Sequence, residues 1–108
     1  MRLILGTMLM ILSVASVAVL APASSADAAT VHQWKRVARC ESGDRWHINT
    51  HNGYYGGLQI SDHTWRAYGG HRWAHHASGA SRWRQTRIAN RILHHQGRAA
   101  WPTCGHRL

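Results

Sequence analysis

Acidic residues are scarce in this chain of 108 residues, which has four Asp and Glu residues against 13 Lys and Arg residues. Only one of the four is a glutamate, Glu41, so any chemistry that needs a glutamate depends on this single side chain. Internal repeats and Pro- or Gly-rich linkers are absent too, which excludes repeat architectures and a string of linked modules. We therefore expect one domain.

Long apolar runs are missing except near the N-terminus, where an uncharged stretch extends from Leu3 to Leu20. A basic start, this run and the Ala-rich segment after it predict a secretory signal peptide over residues 1–28. A retained membrane anchor is the alternative, because the run is just long enough to span a bilayer. Pro22 and the Ala-rich exit favour cleavage. We therefore expect a secreted domain over residues 29–108, extracellular or associated with the cell wall, without stable membrane insertion.

Cysteine is limited to Cys40 and Cys104. A mature domain of about 80 residues buries a small core and usually needs a covalent staple. In an exported chain the two cysteines predict a disulfide, and two free thiols are the alternative. The bridge closes a loop of almost the whole mature domain. In the chain-entropy model, this closure adds about 4 kcal/mol to the free energy of unfolding.

Negative charge is so scarce that the formal net charge is +9, and removing the leader's one Arg and one Asp leaves this value unchanged. Such a surface favours polyanions, which include anionic wall polymers, anionic lipids and nucleic acids, and it also improves solubility. Export removes nucleic acid from this set, because the usual partner stays inside the cell. We expect a monomer that contacts anionic wall polymers.

Capping residues and apolar spacing predict three helices. Thr30 and Gly43 bound the first helix, and the segments 61–69 and 81–97 form a short second helix and a longer third one. The third helix carries a stripe of arginines on one face, for which a solvated surface is the default interpretation.

A small β lobe is expected between the first two helices. It contains Asn52-Gly53, a dipeptide favoured in two-residue hairpin turns, flanked by Ile48 on one side and Tyr54 and Tyr55 on the other. The predicted fold class is therefore mainly helical α+β, with a small β-hairpin lobe and one disulfide.

The ten histidines raise the question of a metal site. No H-E-x-x-H motif is present, and Glu41 is remote from the histidine pairs. The adjacent pairs His75-His76 and His94-His95 point about 100° apart in any helix. We therefore expect solvent-exposed histidines, with no metal and no cofactor.

The segment RCESGD places Glu41 in the last turn of the first helix. The helix dipole disfavours a negative charge there, and Trp-rich surroundings desolvate the carboxyl, so both effects raise its pKa. Arg39 and Arg45 act in the opposite direction. A carboxylic acid kept protonated near neutral pH can donate a proton to a leaving oxygen. An ordinary exposed glutamate is the alternative, and these features leave both interpretations open.

Two longer segments carry a family resemblance: CESGDRWHINTHNGYYGGLQISDHTWRAYGG and ILHHQGRAAWPTC. The Cys-Glu pair, the W-x-I-N-T and N-G-Y-Y-G-G-L-Q motifs, the Thr-Trp pair and the closing A-W-P-x-C resemble the catalytic domain of resuscitation-promoting factors. These form a transglycosylase-like family of secreted bacterial wall enzymes, and the match covers essentially the whole mature chain. The resemblance implies a reduced lysozyme-like fold, with a groove for the glycan strands of peptidoglycan.

The same resemblance implies roles for individual residues. It makes Glu41 the catalytic residue and Cys40–Cys104 the disulfide of the family. It also points to Thr64 and Gln96 as groups that hydrogen-bond the sugar.

Other residues of these segments can contact the substrate through rings or backbone. The Gly56-Gly57 backbone permits close approach, and three aromatic residues can stack on sugar faces, with core packing as the alternative. These three are Tyr54, Tyr55 and Trp65. We expect three further tryptophans, Trp34, Trp46 and Trp101, in the core.

The second acid of a two-carboxylate glycosidase is in doubt here. Many family members carry an aspartate where this chain has Ser61, and we expect Asp44 and Asp62 to be cap or turn residues. We therefore favour a lytic transglycosylase with one acid, which forms 1,6-anhydro products, over hydrolysis by water. Such an enzyme supports wall remodelling and growth resumption or germination. The competing function is a non-catalytic, cationic wall-binding domain, which explains the charge but not the context of Glu41.

Overall fold

The computed structural model of the protein describes residues 13–16 and 28–108. The predicted signal peptide therefore lies almost entirely outside the described residues, and its cleavage stays a prediction. Across these two described stretches, no helix combines the length and the apolar character needed to cross a membrane.

Helix α1 comprises Val31–Ser42 and has the caps expected from the sequence. The Thr30 hydroxyl accepts from the backbone N–H of Gln33 at 3.2 Å, and the Gln33 side chain accepts from the N–H of Thr30 at 2.8 Å. Gly43 ends the helix in the left-handed region at φ 65°. Glycine adopts this conformation without a steric penalty, so the helix ends where glycine occurs.

The β lobe is a two-stranded antiparallel sheet of β1, Tyr54–Tyr55, and β2, Ile60–Ser61. The lobe was predicted correctly, but its turn was not. The chain reverses between β1 and β2 at residues 56–59, and Asn52-Gly53 lies in the loop that precedes β1.

The fully buried Gln85 side chain holds this turn in place from helix α3, Arg82–Gln96. Its Oε1 accepts from the N–H of Gly57 at 3.0 Å. Its Nε2 donates to the carbonyls of Trp46 and Ala80 at 2.7 and 2.9 Å. Since the contacts with Gly57 and Trp46 join residues 28 and 39 apart in sequence, a local dipeptide signal such as Asn-Gly does not determine where the chain reverses.

Helix α2 comprises Asp62–Ala67 and begins after the predicted cap Ser61. The predicted cap Ser81 likewise precedes α3, and Gly97 ends it. Short 3-10 turns complete the described chain: Gly70–Arg72, Ala77–Gly79, Arg98–Ala100 and Gly105–Arg107.

The predicted disulfide Cys40–Cys104 is present and joins the end of α1 to the C-terminal segment. Beside it, the rings of Trp34 and Trp101 pack edge to face, with their centroids 4.9 Å apart. Both are buried, as is Trp46, so the core positions predicted for these three tryptophans are confirmed. The predicted class, mainly helical α+β with a small hairpin lobe and one disulfide, is confirmed as well.

Candidate functional site

Glu41 lies in the last turn of α1, between two residues whose side chains are tied to other segments. On one side Cys40 is bonded to Cys104. On the other side the buried hydroxyl of Ser42 lies 2.9 Å from the carbonyl oxygen of Gly57 and donates to it. The end of α1 is therefore held against both the hairpin turn and the C-terminal segment, which limits the positions that the Glu41 carboxyl can take.

The Glu41 side chain is half-buried, and this burial raises its pKa above the ordinary value of 4.5. No hydrogen bond or ion pair joins its carboxyl to any other residue in the described part of the chain. Arg45 forms no ion pair with Glu41; its Nε donates to the Ser42 carbonyl at 2.7 Å and so caps the helix end. The surroundings thus favour the protonated form of Glu41.

The other two side-chain carboxylates among the described residues both have partners. Asp44 Oδ1 accepts from Trp46 Nε1 at 2.9 Å. Asp62 Oδ1 lies 2.7 Å from His76 Nδ1. Glu41 is therefore the one side-chain carboxylate in residues 28–108 that is free to exchange a proton without breaking a contact within the protein.

A groove beside the hairpin lobe brings three of the predicted substrate-binding residues together. Tyr54, Thr64 and Gln96 line a cleft of about 70 Å³. A wider depression of about 390 Å³ shares Thr64 and Gln96 with this cleft, so the two adjoin and form one groove. Further lining residues of the groove are Ser61, His63, Tyr68, His95 and Trp101.

Hydrogen bonds orient the polar groups of this groove. Gln96 Nε2 donates to the Tyr68 hydroxyl at 3.0 Å, and that hydroxyl lies 3.0 Å from His95 Nδ1. The Ser61 hydroxyl donates to Thr64 Oγ1 at 3.0 Å. Tyr68 and His95 were not among the predicted site residues, because no local motif indicates which residues face each other across α2 and α3.

Glu41 is not among the residues that line the groove, but the two share the same supports. Trp101 lines the groove and shortly precedes Cys104, the disulfide partner of Cys40. Its Nε1 donates at 2.9 Å to the carbonyl of Leu58, in the same turn that Ser42 contacts. The acid and the groove are therefore both connected to the turn at residues 56–59 and to the C-terminal segment.

Two of the residues predicted to contact the substrate are buried in this structure. The Trp65 side chain is 0% exposed and its Nε1 donates to the carbonyl of Ala74 at 2.8 Å, so the ring cannot stack on a ligand. Gly57 is also buried, and a Cβ at this position would lie 2.6 Å from the Trp46 ring. The close approach that Gly57 permits is therefore to a core tryptophan.

A cluster outside the groove brings Asp62, His75 and His76 together, with potential ligand atoms that all lie within 4.8 Å of one another. Exposed histidines without a metal were predicted from the lack of an H-E-x-x-H motif and from the divergence of adjacent histidines in any helix. His75 and His76 lie in a bend, so that divergence does not apply to them. The His76 ring also stacks on Tyr55, with centroids 4.1 Å apart. One face of Tyr55 is thereby covered, and the residue also packs against the hydrophobic core, so less of its ring is available to a sugar than that of the exposed Tyr54.

Comparison with known proteins shows which family this chain resembles. A family profile described as a transglycosylase-like domain matches residues 28–104. The resuscitation-promoting factor RpfA of Mycobacterium tuberculosis is 53% identical over 89 residues, which cover 82% of this chain and 22% of that protein.

Two further resuscitation-promoting factors are similar to this chain. Rpf1 of Corynebacterium glutamicum is 51% identical over 90 residues, 83% of this chain and 46% of the relative. Rpf of Micrococcus luteus is 40% identical over 97 residues, 90% of this chain and 42% of the relative. The chain thus spans less than half the length of each of these three proteins.

Proposed function

The chain belongs to the transglycosylase-like family, alongside the resuscitation-promoting factors similar to it, and from this premise we propose that it cleaves the glycan strands of bacterial peptidoglycan. The reaction is cleavage of the MurNAc-GlcNAc β-1,4 bond, with Glu41 as the catalytic acid. The observation that carries this proposal is the half-buried Glu41 carboxyl, whose pKa is raised by burial and which has no partner among the described residues.

The first step is proton donation. Protonated Glu41 gives its proton to the oxygen that links the two sugars, so that this oxygen leaves as a hydroxyl. The anomeric carbon then acquires oxocarbenium character, and the N-acetyl group of the substrate stabilises it. A carboxyl that is already protonated near neutral pH suits this role.

In the second step ionised Glu41 acts as a base. It removes the proton of the MurNAc 6-hydroxyl, whose oxygen attacks the anomeric carbon and closes a 1,6-anhydro ring. Glu41 is thereby returned to its protonated form. No protein nucleophile is needed, which agrees with Asp44 and Asp62 being engaged by Trp46 and His76.

We assign substrate binding to the groove. Thr64 and Gln96, at the junction of its two parts, offer a hydroxyl and an amide to sugar hydroxyls and N-acetyl groups. Tyr54 is exposed and lines the same cleft, so its ring can stack on a sugar face. The enzyme acts after secretion, in the wall, where it supports remodelling and growth resumption or germination.

The test is digestion of purified peptidoglycan by the wild-type protein and by Glu41→Gln, with mass analysis of the products. We expect Glu41→Gln to lower the rate at least about 100-fold, since it removes the general acid. Asp44→Asn is the matched control, because the amide oxygen still accepts from Trp46, and its rate stays close to wild type. A Glu41→Gln protein that keeps its rate would contradict the proposal.

Product masses separate the two possible outcomes of bond cleavage. Fragments with 1,6-anhydro ends are expected. Fragments that lack the anhydro mass would show hydrolysis by water and would overturn the transglycosylase reaction, although Glu41 would remain the acid.

A non-catalytic wall-binding domain is the second candidate, favoured by the surface of α3. Trp83 is 62% exposed, and the Arg87 guanidinium lies 5.2 Å from its ring centroid. The same guanidinium and that of Arg84 lie 6.0 and 5.5 Å from the ring of Trp73. Sedimentation with isolated walls separates the candidates, because a pure binder sediments but releases no fragments, whereas the proposed enzyme does both.

A further inference from the structure

We propose that Asp62, His75 and His76 form a binding site for one divalent transition-metal ion of the zinc class. The three side chains come from the first turn of α2 and from the bend between the 3-10 turns Gly70–Arg72 and Ala77–Gly79. This site lies outside the groove, and the proposal does not rest on the proposed cleavage reaction.

The donor set determines the kind of ion. Two imidazole nitrogens and one carboxylate oxygen match the ligands that Zn²⁺ takes in proteins, whereas Mg²⁺ and Ca²⁺ prefer oxygen ligands alone. The fourth position of a tetrahedral site is then filled by water or by His71, whose ring centroid lies 5.4 Å from that of His75.

The geometry is close to that of a bound state. Ligand atoms about 2 Å from a tetrahedral zinc ion are about 3.3 Å from one another, and the potential ligand atoms of the cluster lie within 4.8 Å. Asp62 and His76 are already adjacent, with Oδ1 and Nδ1 2.7 Å apart. Only the exposed His75 needs to rotate appreciably, and its ring already contacts that of His76, with centroids 4.6 Å apart.

Packing holds His76 in position before any ion binds. Its ring stacks on Tyr55 at 4.1 Å and an interplanar angle of 11°. Such an arrangement reduces the entropy that binding would otherwise cost. Against this, the formal net charge of +9 repels cations. The carboxylate of Asp62 is therefore indispensable to the site.

Metal binding has a local structural consequence. Asp62 lies between Ser61 and Thr64, which both line the groove. An ion shared with His75 and His76 fastens the bend to the start of α2, and so stabilises the wall of the groove.

The test is calorimetric titration of the chelator-treated, disulfide-bonded protein with ZnCl₂. We expect one ion per chain and a thermal unfolding midpoint raised by about 5 °C or more at saturating zinc. Asp62→Asn and the double variant His75→Ala/His76→Ala each weaken binding at least tenfold. Asp62→Asn keeps an oxygen that accepts from His76, so its fold without zinc is expected to persist.

The matched control removes two histidines elsewhere, His32→Ala/His106→Ala, both exposed and outside the cluster. It keeps the stoichiometry and affinity of the wild type. Imidazole ¹⁵N shifts of the wild-type protein give a second readout that requires no variant, and zinc is expected to move those of His75 and His76 most. The proposal is overturned if the control loses as much affinity as the cluster variants, if zinc binding does not saturate, or if other histidines respond instead.

Discussion

The end of α1 and the start of α2 each carry one carboxylic acid. The two acids differ in whether they have a partner and in which end of a helix they occupy. Glu41 is half-buried at a helix C-terminus, with no partner among the described residues and a pKa raised by burial. Asp62 lies in the first turn of α2, 2.7 Å from His76. The helix dipole adds to the contrast, since it disfavours an anion at the C-terminus and favours one at the N-terminus.

The two acids are therefore suited to different chemistry. Glu41 can hold and release a proton, whereas Asp62 can hold a cationic partner. Their supports differ as well: a disulfide and a buried hydroxyl hold the segment around Glu41, and a cap and a ring stack hold the segment around Asp62. Three experiments test this comparison, in addition to the loss of activity expected for Glu41→Gln.

The largest expected effect on stability comes from removing the bridge beside Glu41. We expect the double variant Cys40→Ser/Cys104→Ser to lose about 4 kcal/mol of unfolding free energy, because the bridge links residues 64 apart in sequence. Its activity on peptidoglycan should fall with its stability. Thermal unfolding with and without reductant provides the check. Equal melting curves for the oxidised and reduced wild type would show that the bridge does not hold this end of the molecule.

A smaller effect on stability is expected from replacing the serine at the end of α1 or the one at the start of α2. Ser42→Ala leaves the buried Gly57 carbonyl without its donor, which costs about 1–3 kcal/mol. Ser61→Ala removes the cap of α2, where the hydroxyl accepts from the N–H of Thr64, and costs about 1 kcal/mol. Denaturant unfolding of both variants measures the difference. A larger loss for Ser61→Ala would mean that the start of α2 is the more tightly held end.

The smallest effect is a dependence of stability on pH. Because burial raises the pKa of Glu41 in the folded protein, protonation favours the fold. This contribution is fully present below the unfolded-state pKa and is lost as pH rises through the folded-state pKa. We therefore expect Glu41→Gln to be more stable than wild type at neutral pH, and the difference in melting midpoint to vanish in acid. A difference that does not change with pH would contradict burial as its cause.

Local signals in the sequence predicted the described helices well. The caps Thr30, Ser61 and Ser81 and the final glycines Gly43 and Gly97 stand where they were expected. These signals are reliable because a cap satisfies backbone groups only a few residues away. The same reasoning placed Glu41 in the last turn of α1.

Local signals did not predict the surroundings of residues that contact segments distant in sequence. Trp65 reads as a ring available for stacking, yet it is buried and close to Gly70, where a Cβ would lie only 2.2 Å from the indole. The proximity of His75 and His76 to Asp62 was not predicted either, because the contact between Asp62 and His76 joins residues 14 apart in sequence.

The sequence by itself determined the helix ends, the single glutamate and the pairing of its two cysteines, since each follows from composition or from hydrogen bonds within one turn. Only the tertiary structure decided the hairpin turn, the groove and the histidine cluster. Gly57 meets Gln85 across 28 residues, and Asp62 meets His76 across 14. Contacts of this kind depend on how the helices pack, because burial of the apolar faces selects which distant polar groups come into reach.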